Sequence, residues 1–350
     1  MIPEFKNILI VRTDRVGDVM LTTPFITALR QAYPSACLTA LVAPGTRELL
    51  DGNSDLNEIL IDDRKGKHRG FAGFHSLARE IRKRNFDIAF VLHTKKRINF
   101  LCFWSGIPRR AGYRNEKLGF LLTDPLTDTR PQGLKHETEY CLDVLRYLGI
   151  PVKSPSPAPS LSVNISSQQW VGQYLKEQGV GANQDLIAIH PGASCVSKLW
   201  MPERFGEVAD ELSQRHAARV IFIGGLEHRE IMLRVRKVVK APIIDATGKT
   251  TLGHLAALFK RCRLLISNDS GPVHMSAALG IPVLVIFGRN QAGLNPLRWR
   301  PLIAQSRVIH KEVGCEVCLA HNCQINFKCL AEVSSAEVIE AANSLLSPGS

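Results

Sequence analysis

The sequence predicts an α/β protein of two Rossmann-like, doubly wound domains, and three observations carry that expectation. Short apolar runs alternate with helix-period stretches, which is the signature of βαβ units around a parallel sheet covered on both faces. The alternation occurs twice, on either side of Pro151-Val-Lys-Ser-Pro-Ser-Pro-Ala-Pro-Ser, whose four prolines in nine residues can continue neither a helix nor a central strand. A chain of 350 residues is also long enough for two cores. The domains are therefore expected at 1–150 and 166–335, with a linker over 151–165 and a C-terminal helix and tail over 336–350.

In chain order, the first half reads as strands at Ile8 to Val11, Leu38 to Val42, Ile59 to Ile61 and Asp87 to Leu92. Helix pattern runs from about Val19 to Ala32, again up to Arg84, and from Glu137 to Leu148. The second half repeats the scheme. Its strands are Leu186 to Ile189, Arg219 to Ile223, Ile243 to Asp245, Leu264 to Ser267 and Val283 to Phe287, and its helices start near Pro202, Glu227 and Leu252 and after Ser267. The last helix, Ser335 to Leu346, is expected to pack back on the other domain. Ligands of such sheets bind beyond the carboxyl ends of the strands, so the loops there are where chemistry is sought.

Composition narrows the classes. With 45% hydrophobic and 22% charged residues the chain reads as a soluble globular protein. No apolar run approaches the roughly 18–20 residues that span a bilayer, and the N-terminus shows no signal-peptide pattern, so the cytoplasm is the expected compartment. The net charge of +12 gathers in the first third, at Arg64, Lys65, Lys67 and Arg69 and in clusters around Arg82, Lys95 and Arg109. A positive face attracts nucleic acid, anionic membrane or a phosphorylated substrate, or is simply solvated. Few interleaved aromatics and no recognised module argue against nucleic acid.

The most informative loop is Ile266-Ser-Asn-Asp-Ser-Gly-Pro-Val-His. A strand ends in Asp269, Ser270 and Gly271, and a helix bearing His274 follows, so free amides at the helix start face an anion or a sugar. The alternative is an ordinary cap, with Asp269 or Ser270 satisfying those amides. After the first strand, Arg12-Thr-Asp-Arg-Val-Gly-Asp lacks the dinucleotide pattern G-x-G-x-x-G. Its Asp18 is either a plain helix cap or a general base for an acceptor hydroxyl. The loop from His190 offers the Ser194 hydroxyl and Lys198, which would neutralise a leaving diphosphate unless it is merely solvated while Trp200 packs the domain. Glu227 or His228 is placed to meet ribose hydroxyls. Asp245-Ala-Thr-Gly-Lys-Thr lacks the first glycine of a P-loop, and the backbone of Lys249 and Thr250 more plausibly lines a base pocket.

In this order and at these separations, the motifs resemble glycosyltransferase family 9, the ADP-heptose:lipopolysaccharide heptosyltransferases. The resemblance spans nearly the whole chain: the opening Ile-Leu-Ile-Val-Arg-Thr-x-x-x-Gly-Asp-Val, the His190-Pro-Gly-Ala block with Lys198-x-Trp200, Gly224-Gly225, Asp245-x-x-Gly-Lys-Thr, and Asn268-Asp-Ser-Gly-x-x-His. It implies a GT-B fold, two Rossmann-like domains facing an interdomain cleft. It further implies inverting, metal-independent transfer of heptose from ADP-L-glycero-D-manno-heptose to the lipopolysaccharide inner core. Carried over by position, Asp18 matches the base, Lys198 and Ser194 the diphosphate contacts, and Asp269, Ser270, Gly271 and His274 the sugar and phosphate loop. Arg12 matches a basic residue facing the acceptor. Arg64, Lys65, Lys67 and Arg69 fall where cations meet the anionic lipid A and Kdo core. The expected partners are the ADP-sugar and an anionic glycolipid at the inner face of the inner membrane. No cofactor is required.

Two questions stay open at this level. Cys315, Cys318, Cys323 and Cys329 crowd together and read either as a structural metal or redox group or as free thiols in an irregular loop. The same fold would also serve another nucleotide sugar, an epimerase, or a nucleotide-sugar-binding protein without turnover.

Overall fold

The computed structural model describes residues 4–153 and 157–347. Residues 154–156 of the expected linker and 348–350 of the expected tail lie outside them. The chain divides into two compact units, Met1–Ser162 and Val163–Ser350.

The first unit holds six parallel strands: β1 (Asn7–Arg12), β2 (Cys37–Val42), β3 (Glu58–Ile61), β4 (Ile88–Val91), β5 (Arg109–Arg114) and β6 (Asp124–Thr127). Its helices are α1 (Val16–Met20), α2 (Thr23–Ala32), α3 (Gly70–Arg82), α4 (Lys96–Trp104) and α5 (Glu137–Tyr147). The strand order is β3-β2-β1-β4-β5-β6. The second unit has β7 (Leu186–His190), β8 (Arg219–Phe222), β9 (Ile243–Asp245), β10 (Leu264–Asn268), β11 (Val283–Phe287) and β12 (Ser306–His310). These are ordered β12-β11-β10-β7-β8-β9. Its helices are α6 (Ile165–Glu177), α7 (Pro202–His216), α8 (Arg229–Arg236), α9 (Leu252–Phe259), α10 (Gly271–Ala278), α11 (Pro296–Trp299), α12 (Lys328–Ala331) and α13 (Ser335–Leu346). Counted from its own first strand, each sheet has the doubly wound Rossmann order. The order reverses between β1 and β4 in one sheet and between β7 and β10 in the other, which is where such sheets open a ligand crevice.

Helices cover both faces of the central strands, so β7, β10 and β11 are buried at every residue and polar only at their carboxyl ends, at His190, Ser267 and Asn268. In the first unit Leu9, Val11 and Leu41 pack on Phe74, Leu77 and Ile81 of α3. In the second, Ile187, Phe222 and Ile266 pack on Phe205, Val208 and Leu212 of α7. The amphipathic α13 packs within its own unit, where Val338, Ala342 and Leu346 join this same core. No helix among the described residues is long and apolar enough to cross a membrane.

The predicted helix over Val19 to Ala32 is two helices. Pro24 has no N–H to give to the Met20 carbonyl, and the Thr23 hydroxyl donates to it instead at 2.8 Å, so the chain breaks and restarts at α2. Strands β5, β6 and β12 lie at or beside sheet edges and lack the apolar signature. In β5 Arg109 is satisfied sideways by Asp124 of β6 at 2.5 Å, and Pro125 is tolerated because β6 is an edge.

Candidate active site

At the crevice of the first unit, the end of β1 turns into α1 without a side-chain cap. Arg15 is the cap residue, and Asp18 lies in the first turn of the helix instead of capping it. Its carboxylate accepts from Arg12 Nη2 at 2.6 Å. The same Nη2 donates to Glu137 Oε1 of α5 at 2.8 Å, while Nε donates to Asp14 Oδ1 at 3.0 Å and Nη1 to the Leu92 carbonyl at 3.1 Å. Arg12 is 4% exposed, and its donors are engaged by three carboxylates and a carbonyl of its own unit. Burial opposes its charge, but Asp14, Glu137 and Asp18 together hold it well above the ordinary arginine range.

Three carboxylates thus share one guanidinium. Burial, helped by the negative charges of Asp14 and Glu137, raises Asp18 above the usual aspartate range against the pull of Arg12, and Asp14 is raised in the same way. A carboxylate tuned upward is a better proton acceptor near neutral pH. His93, after β4, closes the group: its Nδ1 lies 3.1 Å from the Thr13 hydroxyl, and burial, with Lys95 and Arg12 nearby, pushes it down to about 3, so it stays neutral. A consequence follows for pH. With Asp18 as a general base, kcat/KM is expected to fall on the acid side with a midpoint above the usual aspartate value, because a protonated carboxyl accepts no proton. Glu137→Gln removes one of the charges that raise Asp18, so the acid limb of the pH–rate profile should move to lower pH. An unmoved or upward-moved limb would contradict the shared cluster.

The cations Arg64, Lys65, Lys67 and Arg69 are exposed on the loop that follows β3. The loop is built, not floppy. Asp63 accepts the backbone N–H of Gly66 at 2.9 Å and of Lys67 at 3.1 Å, which holds its carboxyl below the usual range. Arg97 of α4 grips the fully buried Asp62 through both nitrogens, at 3.0 and 2.8 Å, and donates to the His68 carbonyl at 3.0 Å. The result is a rigid turn presenting four positive side chains, with Lys67 also 3.9 Å from Glu80.

In the second unit the crevice joins the loops after β7 and β10. Lys198 Nζ lies 2.8 Å from Asp269 Oδ2 and donates to the Asp269 carbonyl at 3.1 Å, so it is not a merely solvated lysine. Trp200 is fully buried against Phe205, as a core residue. Asn268 ties the two loops together: its Oδ1 accepts from the Trp200 N–H at 3.1 Å and its Nδ2 donates to the Pro191 carbonyl at 2.8 Å. Ser270 is the cap residue of α10 yet makes no capping bond. Its hydroxyl lies 3.1 Å from His190 Nδ1 and 2.9 Å from the Ser267 hydroxyl. Burial and the neighbouring His228 push His190 to about 3, so it is neutral. Asp269 and Ser270 are both turned away from the first turn of α10, against the simple cap reading.

The remaining expected contacts sit on loops along the same sheet edge. Ser194 is exposed ahead of Lys198, and Glu227 after β8 has 72% of its side chain exposed. Gly192 admits the His228 ring, since a Cβ there would come within 2.5 Å of the imidazole. Lys249 holds its ammonium 6.0 Å from the Tyr174 ring, and Thr250 precedes Thr251, the cap of α9. The loops after β8 and β9 are joined by the Gly248 N–H to the Gly224 carbonyl at 2.7 Å. Gly271 opens α10 and His274 is buried within it.

Two residues of the clusters, Glu137 and Arg289, were not singled out from the sequence. Glu137 comes from 125 positions away and carries no local signal. Arg289 Nη2 donates to Asp269 Oδ2 at 3.1 Å. Its signal was legible, because it follows a strand and a glycine as the other site loops do.

Among the described residues no group of three or more His, Cys, Asp or Glu could hold a metal ion, and all nine cysteines are free. The sulfurs are used locally instead. Cys329 donates to the Gly288 carbonyl at 2.8 Å, Cys318 accepts from the Asn290 N–H at 3.4 Å, and Cys323 accepts from the Phe327 N–H at 3.3 Å, while Cys315 is exposed. Burial, and then the neighbouring thiols, raise Cys329 and keep it protonated as a donor.

Comparison with known proteins fits this arrangement. Over 97% of its length the chain is 24% identical to lipopolysaccharide heptosyltransferase 2 of Escherichia coli K12, covering 98% of that protein. The structure resembles a glycosyl transferase family 9 crystal structure from Veillonella parvula, with a TM-score of 0.89 and 29% identity over 97% of both chains. It shares its fold with E. coli ADP-heptose lps heptosyltransferase II, with a TM-score of 0.79 and 22% identity over 97% of this chain and 98% of that one. The two Rossmann-like units are those of the GT-B fold. Residues 74–328 match the family 9 heptosyltransferases directly, and with that match the chain belongs to glycosyltransferase family 9.

Proposed function

We propose that the protein transfers heptose from ADP-L-glycero-D-manno-heptose to the inner core of lipopolysaccharide, with inversion and without a catalytic metal. The observation that carries this reading is the second-unit crevice, where Lys198 is held at the start of α10 and both candidate capping side chains are turned away from that helix start. Backbone amides left open at a helix start and a lysine held beside them are what a diphosphate leaving group needs. In the reaction Asp18 takes the proton of an acceptor sugar hydroxyl, and that oxygen bonds to the anomeric carbon. The bond from the anomeric carbon to the diphosphate oxygen breaks, and the electron pair leaves with ADP. Lys198, with Asp269 orienting it, neutralises the charge that develops there. Ser194, Ser270, Gly271 and His274 complete the phosphate and sugar contacts, Glu227 meets the ribose, and Lys249 and Thr250 line the base. Names of relatives support the donor and the acceptor class: E. coli proteins called lipopolysaccharide heptosyltransferase 2 and 3 are among them.

The loop of Arg64, Lys65, Lys67 and Arg69 receives the phosphate and carboxylate groups of the acceptor at the cytoplasmic face of the inner membrane. Phe71, next to that loop, is 75% exposed and suits an interfacial contact. Binding to vesicles containing anionic lipid should therefore be peripheral and weaken as salt rises, because charges more than about 8 Å apart are screened at physiological ionic strength. Sedimentation with vesicles at increasing salt checks this, and salt-independent association would contradict it.

Calorimetry against ADP-heptose, ADP-glucose, UDP-GlcNAc and ADP tests the donor. Binding confined to ADP and ADP-heptose supports the reading, and preference for a uridine sugar overturns it.

A further inference from the structure

Lys198 and Asp269 form an ion pair, and an ion pair alone is a poor trap for a diphosphate: one positive charge facing one negative charge leaves nothing over. A third group changes the balance. Asp269 Oδ2 accepts from Lys198 Nζ at 2.8 Å and from Arg289 Nη2 at 3.1 Å, so two cations share one carboxylate oxygen. Among the described residues neither cation has a second carboxylate within 4.0 Å, and the triad keeps a surplus positive charge. Arg289 is 6% exposed, and its Nε has no hydrogen-bond partner among the described protein atoms, an uncommon state for a buried guanidinium.

The backbone around Arg289 is fixed on both sides by the cysteine segment. The Cys329 thiol holds the Gly288 carbonyl and Cys318 receives the Asn290 N–H. His321 of the same segment sits 3.1 Å from the Ser197 hydroxyl, next to Lys198. A Cβ on Gly288 would come within 2.5 Å of the Ser197 carbonyl, so the Lys198 loop and the Arg289 loop are in direct contact. The cysteine segment therefore braces both cation-bearing loops against one another.

We propose that Arg289 is a positioning residue for the donor: it holds Asp269 from the buried side and supplies the positive charge that leaves Lys198 free to attract the diphosphate. The proposal rests on the reading of an ADP-sugar donor and adds a residue to that site. Without Arg289, Asp269 would neutralise Lys198, and the nucleoside part of the donor would bind as before while the diphosphate would not.

The test measures the affinity of the purified full chain for ADP and for adenosine, with Arg289→Gln and Arg289→Lys beside the wild type. Glutamine keeps a donor toward Asp269 and removes the charge; lysine keeps the charge. The wild type is expected to prefer ADP. Arg289→Gln should weaken ADP by about tenfold and leave adenosine within about twofold, the size expected for losing one charge-assisted contact. Arg289→Lys should recover most of the ADP affinity. Unchanged adenosine binding also shows that the variant is folded. If Arg289→Gln keeps the wild-type preference for ADP, or loses both ligands equally, the role given to Arg289 is wrong while the donor reading stands. Should Arg289→Gln fail to fold, Arg289→Lys decides: loss of the ADP preference with adenosine intact overturns the charge argument, and its retention supports it. A wild type that does not prefer ADP overturns the donor reading and this proposal together.

Discussion

Asp18→Asn is expected to reduce kcat for heptose transfer by about 10²- to 10⁴-fold, the usual contribution of a positioned general base, while leaving affinity for ADP unchanged. The reasoning is local. Asparagine nearly matches the shape of the aspartate and accepts from Arg12 through its carbonyl oxygen, so the packing around Arg12, Asp14 and Glu137 survives. What it lacks is a basic oxygen for the proton of the acceptor hydroxyl. Steady-state kinetics with calorimetry on the same preparation separates the two effects. A variant that retains wild-type kcat would remove Asp18 from the mechanism, and one that also lost ADP would mean that the substitution had damaged the fold.

Lys198→Ala is the second large effect. Its ammonium faces Asp269, and in the proposed reaction it meets the charge that grows on the departing diphosphate. Removing one preorganised group of this kind costs about 10²- to 10³-fold in kcat. Because the charge is already present on the bound donor, ADP affinity should fall as well, whereas Asp18→Asn spares it. The pair of variants therefore divides the site by function. Equal losses of kcat with no loss of ADP affinity in either variant would contradict the assignment of Lys198 to the leaving group.

Much of this architecture was legible in the sequence. The apolar runs that become β1, β2, β7, β8, β10 and β11 lie in sheet interiors, where both faces are covered and the residue pattern is uninterrupted. Strands β5, β6 and β12 were not legible: the edge strands β6 and β12 admit Pro125 and Ser306, β5 beside β6 carries Arg109 and Arg110, and these residues hide the strands from any apolar pattern. The same division holds for the site. Lys198, Asp269 and Ser270 stand in a strand–loop–helix context that sequence displays. Glu137, and the inward turn of Arg12, depend on α5 returning to the end of β1, a long-range contact that no spacing encodes. The cysteine spacing left a metal group and free thiols both open, and only the fold shows hydrogen bonds to Gly288, Asn290 and Phe327 engaging three of the sulfurs one at a time.

The most direct test of the account is a transfer assay with the purified chain, ADP-heptose and lipid A carrying Kdo, with and without a first heptose, read by mass spectrometry of the lipid. One of these acceptors is expected to gain the mass of a single heptose, with ADP released in equal amount. Transfer from another nucleotide sugar in place of ADP-heptose, or ADP release without a change in the lipid, would contradict it.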